Sequence, residues 1–262
     1  MAYKTIRQEI NGAIAHIVLN RPQVRNAFND VLIAEVTMAL DALAKNDAVR
    51  VLVVSAEGST FCAGADFHWM GKMVGTDFNE NFTDSLKLAD MLAALYRFPR
   101  PTIARVQGSA FGGGVGVAAC CDIVVAAETA LFSFSEVRIG LVPACISPFV
   151  IRRIGEGRAR EYFLTGERIT AKRAYEIGYV NKVVPESELD EAVSAYVKRF
   201  LAAGPNALDV CKRMLEEVPQ MDLSEARDYT ARVIAKLRIS EEGLEGMKAF
   251  LEKRKPKWLL KN

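Results

Sequence analysis

Gly108 to Pro143, GSAFGGGVGVAACCDIVVAAETALFSFSEVRIGLVP, is the stretch on which the fold turns. Its three consecutive glycines, Gly112-Gly113-Gly114, put bare backbone where a side chain would bar close approach. The small apolar run Val115 to Ala119 then reads as a helix. Strands are expected on either side, at Thr102–Gln107 and Asp122–Ala126. A helix N-terminus offers unpaired N–H groups and the positive end of its dipole, which suits a developing negative charge. Glu136, beyond the second strand, is a carboxylate placed to move protons. Anion donor and acid/base together make a candidate active site. Gly116 stands where a second carboxylate would follow the glycines.

Outward from this centre, strands and helices alternate. Asn11-Gly12 signals a hairpin turn between Tyr3–Glu9 and the apolar run Ala13–Leu19. Val31–Leu43 has helical apolar spacing, with Asn29 or Asp30 to cap it. Val49–Ser55 is a short buried strand, and Asn79–Phe98 a helix stopped by Pro99-Arg100-Pro101. After Ile169 the character changes. One more strand, Tyr179–Val184, precedes four expected helices, Ser187–Ala202, Pro205–Glu217, Ser224–Leu237 and Glu241–Lys253. The fold class is α/β, with a core over residues 1–195 and a helical C-terminal portion over 196–262.

Composition narrows the class of activity. The chain has 262 residues, enough for a large core, and 50% of them are hydrophobic. A net charge of +2 gives no case for nucleic-acid binding in general; the exception is the local basic run Lys253-Arg254-Lys255-Pro256-Lys257. The five cysteines, Cys62, Cys120, Cys121, Cys145 and Cys211, show no CxxC spacing. Neither a disulfide framework nor a metal site is expected, and a reducing, cytoplasmic setting is. No secretory signal is visible at Met1-Ala2-Tyr3-Lys4, and no apolar run approaches a membrane span.

A second small-residue turn, Phe61-Cys62-Ala63-Gly64-Ala65-Asp66, follows the strand Val49–Ser55, and Asp66 is expected to cap the helix after it. Either glycine-bearing turn alone is weak evidence, and neither fits a dinucleotide or P-loop fingerprint. Together they are specific. Asn20-Arg21-Pro22 with Asn26-Ala27-Phe28, Phe61 to Met70, Gly108 to Asp122, and Phe134 to Pro143 occur in that order. Thr165-Gly166-Glu167 with Ala171, Ala174, Gly178 and Val180, then Phe250 to Trp258, follow. Over nearly its whole length the chain resembles the enoyl-CoA hydratase/isomerase (crotonase) superfamily.

That resemblance implies a spiral of ββα turns holding an acyl-CoA thioester, with coenzyme A as part of the substrate and no separate cofactor. It places the backbone N–H groups of Ala65 and Gly113 as the donors that polarise the thioester carbonyl. Family hydratases set two glutamates around a water, at the positions of Gly116 and Glu136; here only Glu136 is retained. Coenzyme A contacts are implied at Arg25, Ala27, Ala63, Asp66 and His68, and at Phe250 and Lys253, which in relatives reach the coenzyme of a neighbouring subunit. A homotrimer or a pair of stacked trimers is the family habit. His68 is expected to take a binding or surface role rather than a catalytic one, His16 to be a strand residue, and Cys62 to lack a base partner. Trp69, Met70 and Met73 are expected in the core or the acyl pocket, and Glu80 and Asp84 in solvent.

Three activities fit these residues. The first is hydration of a 2-enoyl-CoA, with the stretches around Trp69-Met70, Cys120-Cys121-Asp122 and Ile146-Ser147-Pro148-Phe149 resembling bacterial methylglutaconyl-CoA hydratases of leucine breakdown. The second is migration of a double bond by one shuttling glutamate, with decarboxylation of a dicarboxylic acyl-CoA open on the same oxyanion hole. The third, from another class, is a non-catalytic protein that binds a polyanion through its basic tail.

Overall fold

The computed structural model describes residues 3–259. The chain opens with β1 (Ile6–Asn11) and β2 (Ile14–Leu19), an antiparallel hairpin turned at Gly12, followed by helix α1 (Asp30–Ala44). The Asn29 side chain caps α1 by accepting from the Leu32 N–H. Glu35 on α1 is buried and holds the start of the chain, accepting from the Lys4 and Thr5 amides and the Thr5 hydroxyl.

Three successive strand pairs then build the core: β3 (Val51–Ala56) with β4 (Thr60–Cys62), β5 (Thr102–Val106) with β6 (Ser109–Phe111), and β7 (Ile123–Ala127) with β8 (Leu131–Ser133). After the first pair come α2 (Phe67–Met73) and α3 (Phe78–Tyr96), and after the second α4 (Gly113–Cys120). The third leads to α5 (Ser147–Ile154) and α6 (Glu156–Thr165). In each pair the first strand joins a six-stranded sheet and the second a four-stranded one. Stacking these strand-strand-helix units in parallel produces the expected spiral. Strand β9 (Arg168–Thr170), helix α7 (Ala171–Glu176) and strand β10 (Lys182–Val184) close it, giving sheet orders β1-β2-β3-β5-β7-β10 and β4-β6-β8-β9.

Strand β3 shows why its sequence reads as an unbroken apolar run. Leu52 and Val54 face the main core with α1 and α3, while Val51 and Val53 face a second cluster under helix α8 (Leu189–Ala202). Both faces of the sheet are covered, as parallel sheets require. The expected division at residue 195/196 falls inside α8, whose buried face of Leu189, Val193 and Val197 packs on the sheet. Helix α8 ends at Ala202. Beyond it lie α9 (Pro205–Glu217), α10 (Leu223–Ile239) and α11 (Glu241–Leu251), joined to the core by Lys212–Asp122 (2.7 Å) and by Trp258 Nε1 donating to the Ala202 carbonyl (3.1 Å).

One expected strand is shorter than its apolar run. Tyr179 and Val180 precede β10 as a buried turn, and the Tyr179 hydroxyl donates to the Val115 carbonyl inside α4. The aromatic cluster Phe132, Phe134 and Tyr179 thus braces the glycine-rich helix from below. Each such ring pair is worth about 0.5–1.5 kcal/mol beyond its buried area. Among the described residues no helix is long and apolar enough to cross a membrane.

Candidate active site

Two glycine turns meet at the N-terminus of α4. A Cβ on Gly64 would lie 3.2 Å from the Phe111 carbonyl oxygen and 3.7 Å from the Gly112 Cα. A Cβ on Gly114 would stand 2.6 Å from the Cys62 carbonyl oxygen, and one on Gly113 2.8 Å from the Phe28 ring. Backbone therefore packs directly on backbone and ring, and only glycine allows it. Gly64 and Gly112 also take positive φ, +94° and +50°.

This contact brings Ala65 and Gly113 side by side. Phe28 pairs with Ala65 in a single parallel bridge, in which the Phe28 amide donates to the Gly64 carbonyl and the Asp66 amide to the Phe28 carbonyl. The amide of Ala65 itself lies between these bonds and faces the other way. Gly113 is the first residue of α4, where an N–H has no partner within the helix. Among the described residues neither amide donates a hydrogen bond, and both residues are accessible. Free amides beside a helix N-terminus are the kind of donor that can receive an oxygen gaining negative charge.

Glu136 sits in the turn of 3₁₀-helix Ser135–Ile139 and points into the same space. Its Oε1 would lie 3.4 Å from a Cβ on Gly112, which places the carboxyl against the glycine turn. Its Oε2 is buried without a hydrogen-bond partner. Burial raises its pKa above the ordinary glutamate value of 4.5, and no neighbouring charge is needed to do so. A carboxyl with one oxygen left unpartnered there has the chemistry for general acid/base work. The acid limb of kcat/KM against pH should therefore inflect above the free-glutamate value, since the base form appears only above the raised pKa. An inflection at or below 4.5 in a pH–rate profile would remove Glu136 from that role.

The place of a second carboxylate is filled. A Cβ on Gly116 would come within 2.2 Å of Ile146 Cγ2 and 3.6 Å of Leu92 Cδ2, and both of those side chains are buried. No side chain fits at Gly116 unless Ile146 yields. Hydrocarbon of Ile146 and Leu92 fills the expected partner position at Gly116.

The remaining expected site residues separate into two groups. Arg25 is exposed on the 21–28 loop, and Ala27 is buried beside it. The Ala63 amide donates to the Arg25 carbonyl, so these three residues lie together next to the Ala65 turn. His68 is exposed on α2. Asp66 is turned inward: its side chain is 6% exposed, it accepts from Arg21 at 2.8 Å, and it caps α2 by accepting from the His68 and Trp69 amides. Its carboxylate is thus bound within the protein rather than presented to a ligand. Phe250 and Lys253 are exposed at the end of α11, which packs on α9 and α10. No hydrogen bond or ion pair among the described residues joins them to the Ala65–Gly113–Glu136 group.

The basic tail is partly spoken for. Arg254 pairs with Glu245 at 2.7 Å and with Glu252 at 2.8 Å, which holds the Glu245 carboxyl down at about 2. His16 lies on β2 as expected, and Cys62 is buried with its thiol pushed up to about 12, which leaves it inert as a nucleophile. Asp84 and Glu80 line a separate cavity of about 580 Å³ with Trp69, Lys72 and Lys87 between α2 and α3. Three contributors were not assigned a part from sequence: Phe28 under Gly113, Ile146 against Gly116, and Arg21 on Asp66. All three fall within motif stretches, Asn20-Arg21-Pro22, Asn26-Ala27-Phe28 and Ile146-Ser147-Pro148-Phe149, but nothing in those stretches shows what each side chain touches.

A parallel-stacked ββα spiral that sets two free amides near the half-buried Glu136 suits a reaction in which an oxygen gains charge while a proton moves. The sequence profile of the enoyl-CoA hydratase/isomerase family matches residues 9–261, and the chain belongs to that family. The crystal structure of an enoyl-CoA hydratase from Shewanella pealeana superposes with a TM-score of 0.95 at 39% identity, covering 98% of this chain and 96% of that one. Crotonyl-CoA hydratase from Syntrophomonas wolfei is 34% identical over 263 residues, the full length of both chains. The 2,3-dehydroadipyl-CoA hydratase of Escherichia coli is 32% identical over 241 residues, 92% of each.

Proposed function

We propose that the chain hydrates a 2-enoyl-CoA whose acyl group is branched or dicarboxylic, such as 3-methylglutaconyl-CoA, with Glu136 as its only acid/base. The observation that carries this reading is the partnerless Glu136 Oε2 beside the two free amides of Ala65 and Gly113. In the forward step the Glu136 carboxylate takes a proton from water as the water oxygen bonds to C3. The electrons of the double bond move onto the thioester oxygen, which the two amides stabilise as an enolate. The glutamic acid then gives that proton to C2. Water has been added, and the carboxylate is restored. A dicarboxylic acyl group is supported by the named activity of the E. coli relative on 2,3-dehydroadipyl-CoA.

A second reading has its own observation. The Gly116–Ile146–Leu92 wall is apolar and offers no second group to orient a water. One carboxyl that removes a proton from C2 and returns it at C4 would isomerise a 3-enoyl-CoA without water, and loss of carbon dioxide from a dicarboxylic acyl-CoA would use the same oxyanion hole. The test is product mass after incubation with 3-methylglutaconyl-CoA, crotonyl-CoA and a 3-enoyl-CoA in ¹⁸O-labelled water. A product heavier by one labelled water establishes hydration, and the fastest substrate identifies the acyl class. An unchanged formula with a moved double bond establishes isomerisation and overturns the first reading.

Coenzyme A contacts at Arg25, Ala27, Ala63 and His68 belong to the same proposal, supported by their grouping beside the Ala65 turn. A trimeric or hexameric assembly is supported by apolar side chains left exposed on the last three helices, among them Leu215, Ile239, Leu244 and Leu251. Such an assembly would give Phe250 and Lys253 a neighbouring subunit's coenzyme to meet.

A further inference from the structure

We propose that Arg21 and Asp66 are positioning residues that hold the Ala65 N–H at the angle and height the thioester oxygen needs. The inference rests on the reading of Ala65 as an oxyanion donor. Arg21 lies between the two loops that flank this amide, with its side chain 14% exposed. One arm of its guanidinium donates to the Ala27 carbonyl at 2.6 Å and the other to Asp66 Oδ2 at 2.8 Å. Asp66 is the residue directly after Ala65, and its other oxygen receives the first amides of α2. The bridge therefore grips the Ala65 turn from its C-terminal side and fastens it to the 21–28 loop.

That loop is a firm anchor. Arg25 and Asn26 both hold left-handed backbone, with φ of 53° and 55°, a conformation that costs a non-glycine residue energy and persists only when other contacts impose it. The buried Asn26 amide imposes it: Oδ1 accepts from the Arg21 amide, and Nδ2 donates to the Glu57 and Thr60 carbonyls, each at 2.8 Å. Three backbone bonds then stitch the loop to the turn, Ala63 to Arg25, Phe28 to Gly64 and Asp66 to Phe28. Among the described residues the Arg21–Asp66 pair is the one side-chain to side-chain tie between this loop and the Ala63–Asp66 turn. A backbone donor has no rotamer of its own, so its direction is set wholly by the segment that carries it.

A purely structural role makes a different prediction, and a set of variants tells the two apart. Arg21→Met leaves the Asp66 charge buried without its partner and lowers both stability and turnover. Asp66→Asn keeps a good cap for α2 while breaking the ion pair. The double variant Arg21→Met/Asp66→Asn removes the uncompensated charge and should regain most of the lost Tm. If the pair positions Ala65, kcat stays about 10- to 100-fold down in all three, with KM within about threefold, because the affected interaction strengthens only as the oxyanion forms. Arg21→Lys, which restores one donor and the charge, should recover part of kcat.

A second readout needs no turnover. The thioester carbonyl stretch of bound crotonyl-CoA, read by infrared difference spectroscopy, should move toward its free value in Arg21→Met and Asp66→Asn. Recovery of kcat in step with Tm in the double variant, or an unmoved carbonyl stretch in Asp66→Asn, overturns the proposal. Failure of the underlying site reading has a separate signature: the wild-type protein then leaves the carbonyl stretch of bound crotonyl-CoA unshifted.

Discussion

Replacing Glu136 by glutamine is expected to lower turnover about 100- to 10,000-fold, the usual range for a positioned general acid/base, while acyl-CoA affinity stays within about twofold. The side chain keeps its shape and its place against Gly112, so the pocket is preserved and only the proton is lost. The same substitution should stabilise the fold. Burial raises the pKa of Glu136 above its unfolded value, so its contribution to stability is fully present below the unfolded pKa and is lost as pH rises through the folded one. Above the raised pKa the charged form places an unpartnered, buried Oε2 in the fold, and glutamine removes that charge. An increase in Tm of roughly 2–4 °C at neutral pH, vanishing on acidification through the carboxylate range, is expected by calorimetry. Loss of activity with gain of stability is the mark of a site residue. A variant that keeps more than a tenth of its rate ends the assignment.

Gly113→Ala is the second large effect. Its Cβ would enter the Phe28 ring, 2.8 Å from Cδ2 and 3.0 Å from Cε2. Phe28 is 2% exposed, and both its amide and its carbonyl are bonded to the Ala65 turn, so the ring has little room to retreat. The start of α4 must move instead, and with it the Gly113 N–H. Misplacing one oxyanion donor typically costs on the order of 100–1000-fold in kcat. Phe28→Leu in the same chain should return part of that loss by making space, a coupling that a double-mutant cycle measures. Gly157→Ala is the control: its Cβ meets nothing within 4 Å, and activity should be unchanged. If Gly113→Ala retains near-normal kcat, this amide is not a donor.

Much of the architecture was legible because its signals are local. Asn11-Gly12 turns the hairpin, Asn29 caps α1, Pro205 opens α9, and the apolar run of β3 has both faces buried. The four-stranded sheet was not legible. Its strands are three residues each, too short for a period of two to register, and they exist because the neighbouring turn of the spiral supplies their partners. Tyr179 and Val180 have strand-like character, yet they are buried as a turn because the Tyr179 hydroxyl finds the Val115 carbonyl.

The site divides in the same way. Gly64, Gly112 and Gly113 could be read because backbone crowding admits only glycine, and Glu136 because a carboxylate follows them at a recognisable distance. The inward turn of Asp66 depends on Arg21, 45 residues earlier, and no local pattern carries that. The contact of Ile146 with Gly116 was unreadable for the same reason. The side chain reaches Gly116 from another turn of the spiral, and its sequence neighbours give no hint of the contact.

That last contact governs which sequences lie one step away from this one. A carboxylate cannot arrive at position 116 alone, since its Cβ would overlap Ile146 Cγ2. Ile146 cannot shrink first without penalty, because removing a buried isoleucine side chain leaves a cavity that costs about 2–5 kcal/mol. Either order of the two changes passes through a destabilised intermediate. The interlock makes the one-glutamate site a trap in mutational space: libraries built from single substitutions will recover variants around Glu136 and miss the two-glutamate arrangement, and only a library that randomises both positions together can reach it.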